Sequence, residues 1–256
     1  MSVKTEFKRK NSDLVFRTAT PEDLEDIQAI TQKTFGDHEF VFSIENLEDW
    51  YNHNEDMCYV VKDVKKDINT AVAILLPVTG KLYDRLRKGE VGDMCHFDKN
   101  EVRSSLDSQH YYVELLCINP EIDKSQALLS GAVLAGGISR IIYENGGVRS
   151  AATGSATEGL NMLEKIGYKP LAVYKEEYPI FDIRATPQIA RLLSRAAGFE
   201  KLLKRNKRKR TSSFITDSSV PTGYEKSLGL NDFILDSTTN PELTGRAARS
   251  RTNPKA

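Results

Sequence analysis

The sequence predicts an α/β fold: a central sheet flanked by helices. Three observations predict it. Tyr111 to Thr153 reads as strand, polar loop, long helix and strand. Cys58 to Val61 and Ala71 to Leu76 are apolar, β-branched runs separated by the polar turn Lys65 to Asn69, the pattern of paired strands. Tyr168 to Tyr174 and Pro179 to Arg184 form a last hairpin, turning through Lys175-Glu176-Glu177. At 256 residues the chain fits one substantial domain with extras.

Taken in order, residues 1–12 are polar and basic and are expected to be a flexible end. Leu14 to Thr18 alternates as a strand. Thr20 then stands as an N-cap, with Pro21 at the first helical position and Asp23 near the third. Leu24, Ile27, Ile30 and Thr31 give that helix an apolar stripe at helical spacing. A second helix covers Ile44 to Asn52, and a short one Leu82 to Lys88. Gly89 to Gln109 is a polar connection, and a loop of that length is uncommon without a function. Asn119-Pro120 ends the strand Tyr111 to Ile118, because proline lacks the donor a ladder needs. The helix that follows stops at Glu144-Asn145-Gly146-Gly147. Ser155 and Thr157 read as capping groups in the next strand-to-helix turn. Pro187 to Phe199 makes a C-terminal helix with Ile189, Leu192, Leu193 and Ala196 on one side.

Charged residues are 28% of the chain and the formal net charge is zero, so no global field draws it to nucleic acid or lipid. The balance hides a local excess. Seven of the ten residues from Lys201 to Arg210 are basic, more than a helix end needs, and point to an anionic partner such as nucleic acid or a membrane surface. Thr211 to Ala256 is rich in Ser, Thr, Asn, Pro and Gly and is expected to be disordered, with Phe233-Ile234-Leu235 as a short docking element. No run reads as long and apolar enough to span a bilayer, and the N-terminus lacks a signal-peptide core, so a cytoplasmic protein without a transmembrane segment is expected. Cys58, Cys95 and Cys117 are odd in number and lack paired spacing. Neither a disulfide framework nor a metal site is expected.

Glu114 is the sharpest chemical candidate. A carboxylate on a buried strand is costly to charge, and burial raises its pKa towards a general-base value. The alternatives are that it faces solvent or pairs with an arginine such as Arg149. The helix opening at Ser125-Gln126-Ala127-Leu128-Leu129-Ser130-Gly131 offers amides and a positive dipole end to a phosphate-bearing cofactor; the alternative is an ordinary helix capped by Ser125. Asp93, Cys95 and His96 suggest acceptor recognition or a solvated loop. Adjacent Cys95 and His96 have no second pair at ligand spacing.

The segment Tyr111 to Tyr168 resembles the acetyl-CoA-binding core of the Gcn5-related N-acetyltransferases. Gln126-Ala127-Leu128-Leu129-Ser130-Gly131 matches the first and last positions of the family's Arg/Gln-x-x-Gly-x-Gly/Ala, with Leu129 in place of the first glycine. Leu163-Glu164-Lys165-Ile166-Gly167-Tyr168 mirrors its Tyr-Glu-Lys-x-Gly-Phe, with Leu163 in place of the tyrosine that protonates the departing thiolate. Leu14 to Leu24 looks like its first strand and helix start, so the resemblance spans roughly residues 14–184. It implies a mixed, mostly antiparallel sheet flanked by helices, a domain over 13–184, and a basic helix and tail beyond. It further implies an acyl-CoA-dependent N-acetyltransferase in which Glu114 is the general base. Acetyl-CoA would be the donor, no metal would be needed, and a small or peptide amine would be the acceptor. The pantetheine would pair with backbone at Leu116, Cys117 and Ile118 in a cleft between strands at Cys117 and Arg149. The pyrophosphate would sit on the amides of Gln126 to Gly131, and residues 89–109 would wall the acceptor site. Tyr111, Tyr112, Tyr143 and Tyr168 are candidate replacements for the missing acid. The other reading is a non-catalytic module of the same fold, acting through residues 201–210.

Overall fold

In a computed structural model of the chain, residues 5–10, 12–36, 41–154, 160, 163–164 and 166–199 are described. They fall within the unit Met1–Asp217. The expectations for Ser155, Thr157, the basic run 201–210 and the tail lie outside the described residues.

The sheet has eight strands in the order β1-β2-β3-β4-β5-β6-β8-β7. These are β1 (Glu6–Lys8), β2 (Leu14–Thr18), β3 (Cys58–Asp63), β4 (Ile68–Val78), β5 (His110–Ile118), β6 (Arg149–Thr153), β7 (Lys169–Tyr174) and β8 (Tyr178–Arg184). Neighbours are antiparallel except β5 and β6, which run parallel. This is the mixed, mostly antiparallel sheet that the resemblance implies. The parallel pair is joined by the long helix α4, since parallel strands need a crossover.

Helices cover both faces. The chain contributes α1 (Leu24–Phe35), α2 (Ile44–His53), α3 (Gly80–Arg87), α4 (Lys124–Glu144) and α5 (Pro187–Ala196). Alternation along β4 sorts the core into two layers. Val72, Ile74 and Leu76 face α1, α2, α3 and the loop residues Val91, Met94 and Phe97. Ala71, Ala73 and Leu75 face α4 and its neighbours Ala197 and Phe199.

Local chemistry fixes the ends. Ser43, Thr79 and Thr186 cap α2, α3 and α5 by accepting from Asn46, Leu82 and Ile189 amides. Asp23 accepts from the Thr20 amide at 2.7 Å and from both guanidinium nitrogens of Arg17, at 2.6 and 2.9 Å. Pro21–Asp23 is a 3₁₀ turn, so α1 begins at Leu24, three residues later than Pro21 suggested.

Two expectations change. Residues 6–8 are not a frayed end but an edge strand antiparallel to β2. Phe7 holds it there, its ring 5.8 Å from Phe16 and 5.4 Å from Phe199, under the Arg140 guanidinium. By length and composition α4 is apolar enough to cross a bilayer, contrary to the reading of the bare sequence. Val133, Leu134, Ile138, Ile141 and Ile142 lie in the second core layer, which accounts for that composition.

Candidate functional site

The site begins with a fault in the ladder. Ile74 of β4 pairs with Leu115, but its neighbour Leu75 pairs with Val113. Glu114 is the extra residue of a β-bulge, a device that re-aims a side chain and ends pairing. On the other side of β5, pairing with β6 stops at Val113–Ala152. Beyond that pair β5 continues to Ile118 along β4 alone, so among the described residues no strand pairs with Leu115 to Ile118 on the β6 side, an opening in the ladder where the strands part. The bulge also explains why Tyr112 and Leu115, three residues apart, share one core layer.

Glu114 carries its carboxylate to the α1–α3 side, where Oε2 accepts from the Met94 amide at 3.1 Å. Burial pushes its pKa well above 4.5, and the neighbouring Asp93 charge adds to the rise; the Met94 amide and the Tyr112 hydroxyl oppose it. The loop over Glu114 is tightly seated. Gly89 has φ +72°, and a Cβ there would lie 2.4 Å from the Val173 carbonyl, so only glycine fits. Tyr112 Oη lies 2.5 Å from the Gly92 carbonyl and 2.7 Å from Thr153 Oγ1.

Asp93 is 2% exposed. One carboxylate oxygen accepts from the Cys95 amide at 2.7 Å and the other is 2.9 Å from His96 Nδ1. Burial and the Asp93 charge push the Cys95 thiol up to about 12, so it is no thiolate nucleophile. The sequence treated Asp93 and His96 as a loop cluster; the fold brings Asp93 to Glu114. Among the described residues no group of three His, Cys, Asp or Glu could hold a metal.

The free amides at the start of α4 lie earlier in the chain than Gln126 to Gly131. The cap of α4 is Asp123, two residues before Ser125, and its side chain accepts from the Gln126 amide at 2.9 Å. The unpaired first-turn amides are therefore those of Lys124 and Ser125. The Ala127 amide donates to the Asp123 carbonyl at 2.8 Å, and Leu128, Leu129, Ser130 and Gly131 lie inside the helix with their amides committed to its ladder. Gln126 does not reach outward either. Its amide nitrogen donates to Asp63 at 2.8 Å, and its oxygen accepts from Lys66 at 2.8 Å. Leu128 and Leu129 are exposed, and buried Ser130 donates to Thr70 Oγ1 at 2.9 Å.

Three further positions are decided. Arg149 stands at the paired end of β6, opposite His110, and binds Asp182 at 2.6 Å; it neither lines the opening nor neutralises Glu114. Cys117 sends its thiol towards Thr34 of α1 at 3.0 Å, leaving only its backbone at the opening. Leu163 is buried in the second core layer. Of the candidate acids, Tyr111 donates to the Leu106 carbonyl and Tyr168 to Ser150 Oγ at 2.9 Å, both on the far face, and Tyr143 is buried in α4. Tyr112 alone among them lies in the α1–α3 layer, donating to Gly92 of the loop whose Met94 amide holds Glu114. Sequence reasoning missed Thr153, which no motif marks.

No protein-family model matches the chain, and no curated protein matches it. Solved structures of similar fold include GNAT-family acetyltransferases. One, from Bacillus anthracis, is 15% identical, covers 71% of this chain and 99% of its own, and has a TM-score of 0.46. The yncA protein of Salmonella typhimurium, solved with acetyl-CoA as its cofactor, is 10% identical over 69% of this chain and 96% of its own, TM-score 0.46. A mosquito arylalkylamine N-acetyltransferase like 5b is 11% identical over 67% and 99%, TM-score 0.47. At these values they stand as likenesses only; the fold is read from the strand order itself.

Proposed function

We propose that this chain is a divergent Gcn5-related acyltransferase that moves an acetyl group from acetyl-CoA to a small amine. One observation carries the reading: a partly buried carboxylate of raised pKa at a bulge where two parallel strands part. The open edge of Leu115 to Ile118 offers amides and carbonyls to the pantetheine arm. The Lys124 and Ser125 amides, with the positive end of α4, suit the pyrophosphate. Glu114 takes the proton of the amine as its nitrogen attacks the thioester carbon, and a fixed amide near Leu115 polarises the carbonyl. The acceptor approaches from the α1–α3 side, beneath residues 89–97.

Calorimetry with acetyl-CoA tests the donor site, using Lys124→Pro as the comparison. Asp123 already has φ −68° and ψ 157°, which suits a following proline, so this change removes one free amide and leaves the helix start intact. Micromolar binding weakened about tenfold in the variant supports the reading. Absence of heat at millimolar acetyl-CoA sinks it. With an amine panel, Glu114→Gln should lower kcat by roughly 10²–10⁴-fold, the usual worth of a general base.

A second reading, a non-catalytic module, is favoured by the hydrogen bond that ties Glu114 to the Met94 amide, a structural task. Acetyl-CoA binding without turnover of any amine would select it. Its anionic partner would be sought at residues 201–210.

A further inference from the structure

A thioester that loses its acetyl group leaves a thiolate, and the proton taken from the amine must reach it. Leu163 is buried in the core and cannot supply one. Three oxygen groups instead form a chain across the parting strands. Glu114 and Tyr112 lie under one short loop, Glu114 accepting from the Met94 amide and Tyr112 donating to the Gly92 carbonyl, and Tyr112 Oη is 2.7 Å from Thr153 Oγ1. Tyr112 is 1% exposed, whereas Thr153 is partly exposed. Thr153 is also the last residue of β6, one beyond the final β5–β6 pair. The chain thus runs from the partly buried base to the vertex of the opening.

We propose that Tyr112 and Thr153 return the proton from Glu114 to the departing thiolate, with Thr153 as the group that touches sulfur and Tyr112 as the positioning and relay residue behind it. This rests on the acyltransferase reading above. Tyr112 has one proton. The Gly92 carbonyl, 2.5 Å away, can only accept, so it holds that proton at rest and Thr153 donates to the tyrosine oxygen. In turnover the C–N bond forms and the C–S bond breaks. The amine proton goes to the Glu114 carboxylate and on to Tyr112 Oη, while the Tyr112 hydroxyl swings from the Gly92 carbonyl to Thr153 and gives up its own proton there. Thr153, its hydroxyl rotated towards the opening, gives its proton to sulfur. Each oxygen gains one proton and loses one, and the products are an amide and a thiol.

The test compares acetyl-CoA with its oxygen-ester analogue, whose alkoxide leaving group is far more basic than a thiolate and depends more on a donor. Thr153→Val is isosteric without the hydroxyl, and Thr153→Ser keeps it. Thr153→Val should lower kcat about tenfold with acetyl-CoA at unchanged KM, and at least tenfold more with the oxygen ester. Thr153→Ser should restore most of both. Tyr112→Phe should behave like Thr153→Val, and the double variant should be no worse than either. Equal losses on the two donors, or no loss, overturn the relay while leaving the acyltransferase reading intact. A wild-type chain that neither binds nor turns over acetyl-CoA overturns both.

Discussion

Glu114 is partly buried and Asp23 is buried, and their surroundings push the two carboxylates in opposite directions. Asp23 is desolvated, which alone would raise its pKa, but the Arg17 guanidinium and the Thr20 amide outweigh this and hold it below 3.8. Its contribution is present above the ordinary aspartate range and is lost as pH falls beneath it. Asp23→Ala strands the Arg17 charge and the Asn69 amide, and should cost about 3 kcal/mol at pH 7 in chemical denaturation. Glu114 has the reverse sign. Its folded pKa lies above the unfolded 4.5, so the folded state holds the proton longer and stability falls as pH rises from about 4.5 to the folded value. Asp93, Tyr112 and Cys95 face it, and none supplies a compensating positive charge. Glu114→Gln should therefore melt higher than wild type by a margin that grows with pH across that window. A constant margin would show that the carboxylate is not desolvated. The sequence made Glu114 visible as one carboxylate in an apolar strand; it could not show the bulge, because Tyr111 to Ile118 is apolar on both faces and has no period to break.

At the scale of elements, α4 sits so close to the sheet that glycine is required. A Cβ on Gly137 would lie 2.4 Å from the Phe16 ring, and one on Gly136 would meet Ala197 at 2.4 Å. Gly137→Ala should cost about 1–3 kcal/mol by overpacking, and denaturant midpoints measure it. A neutral result would mean that Phe16 can move, although it is fully buried. Hairpins and the crossover were readable because their apolar runs are bounded by turn residues. The start of α4 was misread because Asp123 and Ser125 are equally good caps by type. Backbone geometry chose Asp123, and that moved the free amides from Gln126–Gly131 to Lys124 and Ser125.

For the whole molecule, the proposed donor binding at the opening between β5 and β6 should couple to stability. Acetyl-CoA at a hundredfold excess over its Kd should stabilise the fold by about 2.7 kcal/mol. For a domain of this size that is a rise of roughly 5–10 °C in Tm. Free adenosine, which lacks the pantetheine arm and the phosphates, should give none. The same shift from adenosine would place binding away from the parted strands.

The sequence by itself determined the order of the helices and of the strands from β2 onward, the turn positions and the identity of the one carboxylate in the central strand. These follow from periodicity, proline and glycine punctuation and capping chemistry, which act over a few residues. Tertiary structure decided where the ladder slips, which amides stay unpaired and which hydroxyl meets Glu114. Those outcomes depend on register between β4 and β5 and on the parting of β5 from β6, contacts between residues some 40 apart, which no local pattern encodes. Asp93 and Tyr112 come beside Glu114 because the loop 89–97 is pressed against that slip, and Thr153 reaches no further than Tyr112.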